Sequence, residues 1–348
     1  MSKLRVAIVG ASGYSGSVAV RLVAAHERLA LAFATSDKLA GESVGKHLGT
    51  RLDDKQVFFP NSAAVDRAED CEAVILATAA DVSMRVAPDF AARGKQVVDL
   101  SGAFRLDAAA YPRWYGFEHT APSLLDRAHY GLPELFGLPP GGSLVANPGC
   151  YPTAALLALA PLLRGKLIET QGIVVDAKSG VTGAGRQGGE AYSFAEVDDD
   201  LRAYRVLTHQ HTPEIARGLS KVVEDGQSGE IGVTFTAHLL PIKRGLLATC
   251  YARPRAGVDS RRVADCLAEA YARTAFVRAV PPEEAMIKRV VGTNLAYVGA
   301  SANADVVVAI AAIDNLLKGA AGQAIQNLNA MNRWPETTGL DCLQRVSP

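Results

Sequence analysis

Cys150 is the residue whose type and position most clearly predict covalent chemistry. It follows Asn147, Pro148 and Gly149, where a short apolar run gives way to a helical pattern. The positive end of a helix dipole stabilises a thiolate over a thiol, and a Pro-Gly turn could present the sulfur to a cleft. The alternative is a small buried residue, the usual fate of a free cysteine. The position at a helix start favours a nucleophile.

His209 and His211 could supply the acid and base that a nucleophilic thiol needs. They precede a predicted helix that has Thr212 as its cap and Pro213 at its first position. Histidine titrates near neutral pH, so an imidazolium could protonate an alkoxide, and His211 would be better fixed than His209 in its freer loop. The pair could also bind a metal with Glu214, but no further ligand cluster accompanies it. We therefore predict acid–base chemistry and no metal.

A glycine-rich turn follows the first predicted strand and opens the first predicted helix. Its glycines are spaced G-x-x-G-x-x-G instead of the standard G-x-G-x-x-G. Glycines allow a tight turn and a close backbone approach, and the helix N–H groups can meet a pyrophosphate. The same turn could pack strand on helix without a ligand. The flanking elements favour dinucleotide binding, through Gly10, Ser12, Gly13, Tyr14, Ser15 and Gly16.

The end of the second predicted strand bears on the choice of cofactor. An acidic residue there would bind the ribose 2′-hydroxyl of NAD. Ser36 and Lys38 could instead donate to a 2′-phosphate, although Asp37 between them would repel one if it pointed inward. The segment favours NADP. Arg105 follows another strand at its carboxyl end and suits a carboxylate or phosphate, although a surface arginine is equally compatible with its position.

The elements that must position these residues divide into two patterns. Up to residue 146, short apolar runs alternate with helical segments, which predicts a parallel sheet with helices on both faces. Predicted strands are residues 4–9, 29–35, 73–78, 96–100 and 144–146, and predicted helices are residues 15–25 and one from a cap at Asp81 to Gly94.

After Cys150 the runs are longer and mostly alternating, which predicts an antiparallel or mixed sheet. The predicted strands are residues 172–177, 230–239, 246–253 and 302–313, with a glycine-rich loop at 181–189 and helices at 151–163 and 315–331.

Length and composition set the class of protein. The 348 residues correspond to about two domains. The 36 basic and 36 acidic residues cancel, which argues against a nucleic-acid or anionic-membrane partner. Five cysteines without a C-x-x-C pair indicate free thiols in a reducing cytoplasm. The apolar run before Gly10 is too short for a signal peptide, and no stretch is long enough to span a membrane.

Together these motifs resemble the N-acetyl-γ-glutamyl-phosphate reductases, relatives of the aspartate-semialdehyde dehydrogenases. The resemblance runs nearly end to end, and the Asn-Pro-Gly-Cys-Tyr-Pro-Thr string is far more specific than the glycine turn. The matching stretches are residues 9–16, 99–106, 147–153, 176–185, 209–215, 238–245 and 314–324.

The resemblance implies a role for each matching residue. Cys150 would be the nucleophile and His211 the acid–base group, with His209 and Glu214 as its neighbours in the substrate cleft. Other implied contacts are Arg105 and Ser179 to the substrate and Asn315, opening the last helix, to the nicotinamide. The family often has a basic residue where this chain has Asp37, which weakens the NADP assignment but leaves Lys38.

The implied fold is α/β: a Rossmann-type parallel-sheet NADP-binding domain, residues 1–148 and 315–348, and an α+β catalytic and oligomerisation domain with a mostly antiparallel or mixed sheet, residues 149–314. The implied reaction is NADPH-dependent reduction of N-acetyl-γ-glutamyl phosphate through a Cys150 thioester, in arginine biosynthesis. The long apolar strands of the second domain favour a homodimer or homotetramer that contacts through its sheets, although the same strands could be buried within one chain. Two alternatives stay open: a reductase of carrier-protein-linked aminoadipyl or glutamyl phosphate in lysine biosynthesis, and a non-catalytic NADP-binding sensor.

Overall fold

The computed structural model describes residues 2–50, 52–137, 139, 144–186, 192–223 and 231–340. They form two compact units, one from Met1–Pro148 and Ala320–Pro348 and the other from Gly149–Gly319. The predicted domain limits, 1–148 with 315–348 and 149–314, stay a prediction. Part of the predicted glycine-rich loop (187–189), the first residue of a predicted strand (230) and the chain end (341–348) lie outside the described residues.

A seven-stranded parallel sheet forms the centre of the first unit. Its strands are β1 (Leu4–Val9), β2 (Leu29–Thr35), β3 (Phe58–Phe59), β4 (Ala73–Leu76), β5 (Gln96–Asp99), β6 (Ala128–Tyr130) and β7 (Leu144–Ala146). They are ordered β3-β2-β1-β4-β5-β7-β6, and every pair is parallel. The winding reverses between β1 and β4, and such open sheets bind ligands at this point, beyond the carboxyl ends of the strands.

Helices of the first unit cover this sheet. They are α1 (Tyr14–Ala25), α2 (Val44–Leu48), α3 (Ala80–Ala92), α4 (Tyr111–Tyr115) and α5 (Pro133–Phe136), with 3₁₀ turns at Asn61–Ala63, Ala68–Asp70, Ala108–Ala110 and Pro122–Leu124. In α3, Met84, Ala87 and Phe90 recur at helical spacing and are buried. The predicted cap at Asp81 is wrong. Ala79 caps α3, and the Asp81 carboxylate pairs with Arg85 one turn later, at 3.2 Å.

The second unit is built on a mixed seven-stranded sheet, as predicted. Its strands are β8 (Ile173–Gly180), β9 (Arg202–Tyr204), β10 (Val233–Leu240), β11 (Leu246–Ala252), β12 (Val277–Ala279), β13 (Ala296–Ala302) and β14 (Val307–Ile313). The order is β12-β13-β14-β11-β8-β10-β9. The β8–β10 and β12–β13 pairs are parallel and the other four are antiparallel.

The predicted single strand over residues 302–313 is wrong. The chain forms an antiparallel hairpin of β13 and β14. Asn303 makes its turn, because its side-chain oxygen accepts the N–H groups of Asp305 and Val306, each at 2.9 Å. Asn and Asp favour turns through such bonds.

One strongly apolar helix anchors the second unit. Its helices are α6 (Cys150–Arg164), α7 (Phe194–Val197), α8 (His211–Ser220), α9 (Ser260–Tyr271) and α10 (Ile287–Val290), with 3₁₀ turns at Val181–Ala184 and Pro282–Glu284. In α6 every residue from Tyr151 to Leu163 is buried, as expected of a helix that is apolar on all sides. It packs against α8, α9, β11 and β14. The first residue of α6 is thus held by a rigid element.

The last helix, α11 (Gly322–Met331), belongs to the first unit and packs against α1 and β5. It starts later than predicted, because a π-helical turn, Leu317–Ala321, precedes it and Asn315 lies before both. The Asn327 amide donates to the Gly131 carbonyl (2.9 Å) and to Asn147 Oδ1 (3.0 Å), fixing the helix to the ends of β6 and β7.

Candidate active site

Cys150 is the first residue of α6. Gly149 caps the helix in an extended conformation without a side-chain cap, and its carbonyl accepts the N–H and the hydroxyl of Thr153, each at 2.9 Å. The cysteine is partly exposed. A thiolate at this position meets the positive end of a 15-residue helix, which stabilises the ionised nucleophile.

Three other described cysteines lie in environments that keep a thiol protonated. Burial raises the pKa of Cys71 to about 11 and that of Cys250 to about 12. The pKa of Cys266 is raised as well, also mainly by burial. A thiol that keeps its proton at neutral pH is a weak nucleophile, so the described structure favours Cys150 for covalent chemistry.

A buried carboxyl group connects the start of α6 to α8. Glu214 is 1% exposed, and its Oε1 accepts the Gly149 N–H at 2.9 Å. Its Oε2 lies 3.9 Å from Nε2 of His211. One side chain therefore holds the residue before Cys150 and offers an imidazolium at His211 an electrostatic partner.

His209 and His211 lie together, but the predicted helix start is wrong. The helix begins at His211 with Gln210 as its cap, and Pro213 lies within its first turn. His209 is 4% exposed instead of lying in a freer loop. Its Nδ1 accepts the N–H of His211 at 3.1 Å, and the two ring centroids are 4.7 Å apart.

The environment of His209 keeps it neutral. Its ring packs edgewise against Tyr151, Tyr204 and Phe235. This burial, followed by the charge of a protonated His211, lowers the pKa of His209 to about 2. Because Nδ1 is a hydrogen-bond acceptor, the proton of the neutral ring is on Nε2. His209 is therefore not a proton reservoir at neutral pH.

Two tyrosines near the histidines were missed by the sequence analysis. The hydroxyls of Tyr151 and Tyr204 are 3.1 Å apart, and that of Tyr151 donates to the His238 carbonyl at 3.1 Å. Burial raises the pKa of Tyr204 to about 12 and that of Tyr151 further, so both stay protonated. Both tyrosines lie close in sequence to the Cys150 or His209 motif, and this proximity could have indicated that they belong to the site.

Ser179 and Asn315 form a second polar cluster in this unit. Ser179, next to last in β8, is 2% exposed, and Asn315 is also 2% exposed. Asn315 accepts the Gly245 N–H on Oδ1 at 2.8 Å and donates to Thr182 Oγ1 at 3.0 Å. A Cβ on Gly183 would lie 2.9 Å from Ser179 Oγ and 3.8 Å from Asn315 Nδ2. The glycine therefore leaves room beside both polar groups.

The segment after Asn315 runs past the nucleophile. A Cβ on Gly319 would lie 2.7 Å from the Cβ of Cys150, closer than real side chains approach. Gly319 therefore permits close packing of this segment on Cys150.

The glycine turn of the first unit fits a dinucleotide. A Cβ on Gly10 (φ +83°) would lie 2.6 Å from the Ala77 carbonyl oxygen, and a Cβ on Gly16 would overlap the Gly10 carbonyl oxygen. Packing thus accounts for these two glycines. A Cβ on Gly13 would meet its nearest neighbour only at 3.6 Å. Packing does not require this glycine, whereas the close approach of a phosphate would. Ser12, Tyr14 and Ser15 are partly exposed around it.

The end of β2 places the three cofactor-selecting residues differently. Ser36 is buried, and its hydroxyl donates to Ser12 Oγ at 2.8 Å. The Asp37 carboxylate accepts the backbone and side-chain N–H groups of Asn61, at 2.7 and 2.8 Å. Lys38 is exposed. Asp37 is therefore engaged by a neighbouring turn, and Lys38 is the predicted donor that is accessible.

Arg105 lies in the first unit and is 5% exposed. Its Nη2 donates to the Leu100 carbonyl at 2.7 Å, across a loop held by the Asp99 carboxylate, which accepts the Ser101 N–H and hydroxyl. Burial is the main reason that the pKa of Asp99 is raised. The guanidinium is thus oriented by the loop that carries it.

The described residues contain neither a cluster of metal ligands nor a membrane-spanning helix. No group of three or more His, Cys, Asp or Glu side chains there is arranged to hold a metal ion. No helix in the same residues has the length and apolar character needed to cross a membrane.

Two family profiles match the chain, one in each part. Residues 5–137 match "semialdehyde dehydrogenase, NAD binding domain", and residues 150–315 match "semialdehyde dehydrogenase, dimerisation domain".

Full-length relatives and solved structures agree with these matches. The chain is 42% identical to N-acetyl-gamma-glutamyl-phosphate reductase of Magnetococcus marinus, over 98% of both chains. It is 44% identical to that of Desulforudis audaxviator, over 97% of this chain and 98% of the relative. Aspartate semialdehyde dehydrogenase II of Vibrio cholerae superposes with a TM-score of 0.69 at 18% identity, over 96% of this chain and 99% of that one. The NADP complex of the Candida albicans enzyme gives 0.65 at 14% identity, over 95% and 99%.

Proposed function

Since this chain belongs to the N-acetyl-γ-glutamyl-phosphate reductases of the semialdehyde dehydrogenase family, we propose that it works through a thioester on Cys150. It is an NADP-dependent oxidoreductase of arginine biosynthesis, and its substrate is a small acyl phosphate. It reduces N-acetyl-γ-glutamyl phosphate to N-acetyl-glutamate semialdehyde and releases phosphate.

One observation carries the catalytic assignment. A partly exposed cysteine begins α6, and the N–H of the residue before it is bound by Glu214, whose other oxygen faces His211. Nucleophile and proton donor thus share one buried carboxyl group that positions both.

The first half-reaction needs only groups of this chain and the substrate. The Cys150 thiolate attacks the acyl carbon, the bond to phosphate breaks, and a thioester forms. We assign stabilisation of the oxyanion of the tetrahedral intermediate to the first-turn N–H groups of α6, a contribution typically worth about 3 kcal/mol. Arg105 and Ser179 are our candidates for substrate contacts, because a guanidinium pairs with carboxylate or phosphate and a hydroxyl donates to either.

The second half-reaction needs a proton at the acyl oxygen. Residues 10–16, Lys38 and Asn315 are our candidates to hold NADPH, which when bound would supply the hydride that reduces the thioester. His211 protonates the alkoxide to give a neutral thiohemiacetal, and its imidazole then takes this proton back as the carbon–sulfur bond breaks, the carbonyl re-forms and Cys150 leaves as thiolate. His209 stays neutral and orients His211 by accepting its backbone N–H. Formation and reduction of the thioester thus replace one difficult step by two easier ones.

Quenching the enzyme with substrate in the absence of NADPH tests this proposal. We expect one equivalent of phosphate per chain and an acyl adduct on the tryptic peptide that contains Cys150. Adding NADPH should discharge the adduct as semialdehyde. An enzyme that oxidises NADPH without forming an adduct would contradict the thioester route. Faster turnover of a carrier-protein-linked acyl phosphate would favour the lysine-pathway reaction, and no turnover of either would favour an NADP sensor.

For assembly, we propose that the outer face of the second sheet contacts another copy of the chain. Val174 and Tyr251 on this face are 37% and 38% exposed. Further along β8 on the same face, Lys178 pairs with Asp176 at 2.7 Å, and His238 Nδ1 lies 3.0 Å from the same carboxylate without hydrogen-bond alignment. A face with exposed apolar residues beside a charged group suits a self-complementary contact. A solution mass of one chain at micromolar concentration would contradict it.

The state of the cysteine thiols indicates the cellular compartment in which the protein works. Four described cysteines are unbridged, which fits a reducing environment. We therefore propose a cytoplasmic location, which fractionation of cells expressing the protein would test.

A further inference from the structure

Asp314 is a fully buried carboxylate to which the reaction steps above assign no role. Its Oδ1 accepts Nη2 of Arg244 at 3.0 Å and the N–H groups of Leu316 and Leu317 at 2.9 and 3.1 Å. Its Oδ2 accepts the Gly292 N–H at 2.8 Å. Arg244 is itself 5% exposed. A carboxylate with this many charge-assisted bonds holds the segment that follows it in one conformation.

The ion pair lies beside the hydrogen bond that orients Asn315. Arg244 directly precedes Gly245, whose N–H donates to Asn315 Oδ1, and Asp314 directly precedes Asn315. The two contacts therefore connect the same two segments at adjacent residues. The Asn315 amide is fixed from its other end by Thr182, whose hydroxyl in turn donates to the Lys243 carbonyl at 2.7 Å.

These bonds use half of the hydrogen-bonding capacity of Asn315. A side-chain amide has two N–H donors and an oxygen with two lone pairs. Among the described residues, one donor is bound to Thr182 and one lone pair to Gly245. The other donor and lone pair form the complement of a carboxamide, and a Cβ on Gly183 would lie 3.8 Å from the amide nitrogen.

We propose that Arg244 and Asp314 are positioning residues that hold the Asn315 amide ready to bind the carboxamide of the cofactor's nicotinamide ring. The inference rests on the proposed function and on the assignment of Asn315 as a cofactor contact. Neither residue of the pair touches the cofactor in this proposal. Weakening the Arg244–Asp314 pair should therefore weaken binding of the nicotinamide end of the cofactor and leave the chemistry of Cys150 unchanged.

Arg244→Lys is the test variant, because lysine keeps the charge and loses the planar fork. We expect its dissociation constant for NADP⁺, measured by titration calorimetry, to rise about 3- to 10-fold, the worth of one hydrogen bond. Binding of 2′-phospho-ADP-ribose, which lacks the nicotinamide, should not change. Asn315→Ala should show the same pattern. Arg289→Lys is the matched control, since Arg289 forms an ion pair with Glu284 at the surface of the same unit.

Phosphate release without NADPH separates the two proposals. We expect Arg244→Lys to release one equivalent as the wild type does. A wild-type enzyme that releases none would overturn the thioester mechanism and leave the binding test standing. If Arg244→Lys binds NADP⁺ as tightly as Arg289→Lys does, the positioning role is wrong. An equal loss of affinity for NADP⁺ and for 2′-phospho-ADP-ribose would also overturn it, because a general structural defect has that signature.

A double variant guards against misfolding. Removing one charge of a buried pair leaves the other uncompensated, whereas removing both is often tolerated. Arg244→Met with Asp314→Asn should unfold at a denaturant concentration close to the wild-type value and still show the selective loss of NADP⁺ affinity. Wild-type NADP⁺ affinity in this stable variant would contradict the proposal.

Discussion

Each unit has a helix that is capped by a glycine a few residues after an apolar strand, but we propose different uses for the two helix starts. Gly13 and Gly149 cap α1 and α6 in nearly the same conformation, with φ of −68° and −65° and no side-chain cap. At α1 the following residues are partly exposed and open to a bound anion. At α6 the anion in our proposal is part of the chain, as the thiolate of Cys150. In this proposal one backbone arrangement binds the pyrophosphate of the cofactor in one unit and stabilises a covalent nucleophile in the other.

Removing the sulfur should produce the largest difference between the two helix starts. We expect Cys150→Ala to lose about 10⁴-fold or more in kcat, because no other group forms the thioester. NADP⁺ affinity, which depends on the α1 start, should not change. Steady-state NADPH oxidation and calorimetry measure the two. Cys266→Ala is the control and should keep full activity; substantial turnover by Cys150→Ala would refute the covalent route.

The two histidines near the start of α6 should differ in role: His211 donates a proton, and His209 positions His211. We expect His211→Asn to lower kcat by about 10²- to 10⁴-fold, the usual range for general acid catalysis. His209→Asn should lose less, because asparagine can still accept the His211 N–H and the neutral His209 ring gives up no proton. Turnover at saturating substrate decides, and a larger loss in His209→Asn would reverse the two roles.

Alanine substitutions at Gly13 and Gly16 should have different effects, because the two added methyl groups meet different surroundings at the start of α1. Gly13→Ala places a Cβ in ordinary van der Waals contact, 3.6 Å from the nearest atom, so we expect about a tenfold rise in the NADP⁺ dissociation constant with stability lowered by about 1 kcal/mol at most. Gly16→Ala drives a Cβ into the Gly10 carbonyl oxygen and should destabilise the unit by several kcal/mol. Calorimetry and urea unfolding measure both. Unchanged NADP⁺ affinity in Gly13→Ala would remove this turn from the cofactor site.

Lys38 should determine the preference for NADPH over NADH. We expect Lys38→Ala to raise KM for NADPH about tenfold and leave KM for NADH unchanged, because an exposed ammonium can pair only with the extra phosphate. Lys55→Ala, which removes another exposed lysine of the first unit, is the control. Equal wild-type efficiency with both cofactors would mean that Lys38 does not select the phosphate.

The smallest expected effect concerns pH and stability. Since the pKa of His209 falls from 6.5 to about 2 on folding, the unfolded chain binds one more proton between these values. Stability due to the neutral ring is therefore fully present above pH 6.5 and is lost as pH falls below it, by up to about 1.4 kcal/mol per pH unit. Urea unfolding of wild type and His209→Asn at pH 7 and 5 should show the steeper loss in the wild type. Parallel losses would contradict a buried neutral His209.

Much of the fold could be predicted because buried parallel strands are continuous apolar runs, and β1, β2 and β7 lie where the sequence indicated. The hairpin turn at Asn303 was missed because apolar residues flank it on both sides. The π turn before α11 was missed because it carries the same residue types as a helix start.

Some features of the candidate site could likewise be predicted from the sequence, and others could not. Cys150 and the glycine turn are local features, readable from a few consecutive residues. The burial of His209 was not predictable, since it depends on aromatic rings from α6, β9 and β10. The Arg244–Asp314 pair joins residues 70 positions apart, and only the folded sheet brings them together.

The place of α11 has a consequence for synthesis of the chain. This helix completes the first unit, yet all of the second unit lies between it and β7 in sequence. A ribosome making about 5–20 residues per second reaches α11 only after the whole second unit. Until then Gly131 and Asn147 lack their Asn327 partner, and the sheet surface that α11 covers stays exposed. The cofactor-binding unit is therefore begun before the second unit and completed after it, while the unit that carries Cys150 can fold before the other is complete.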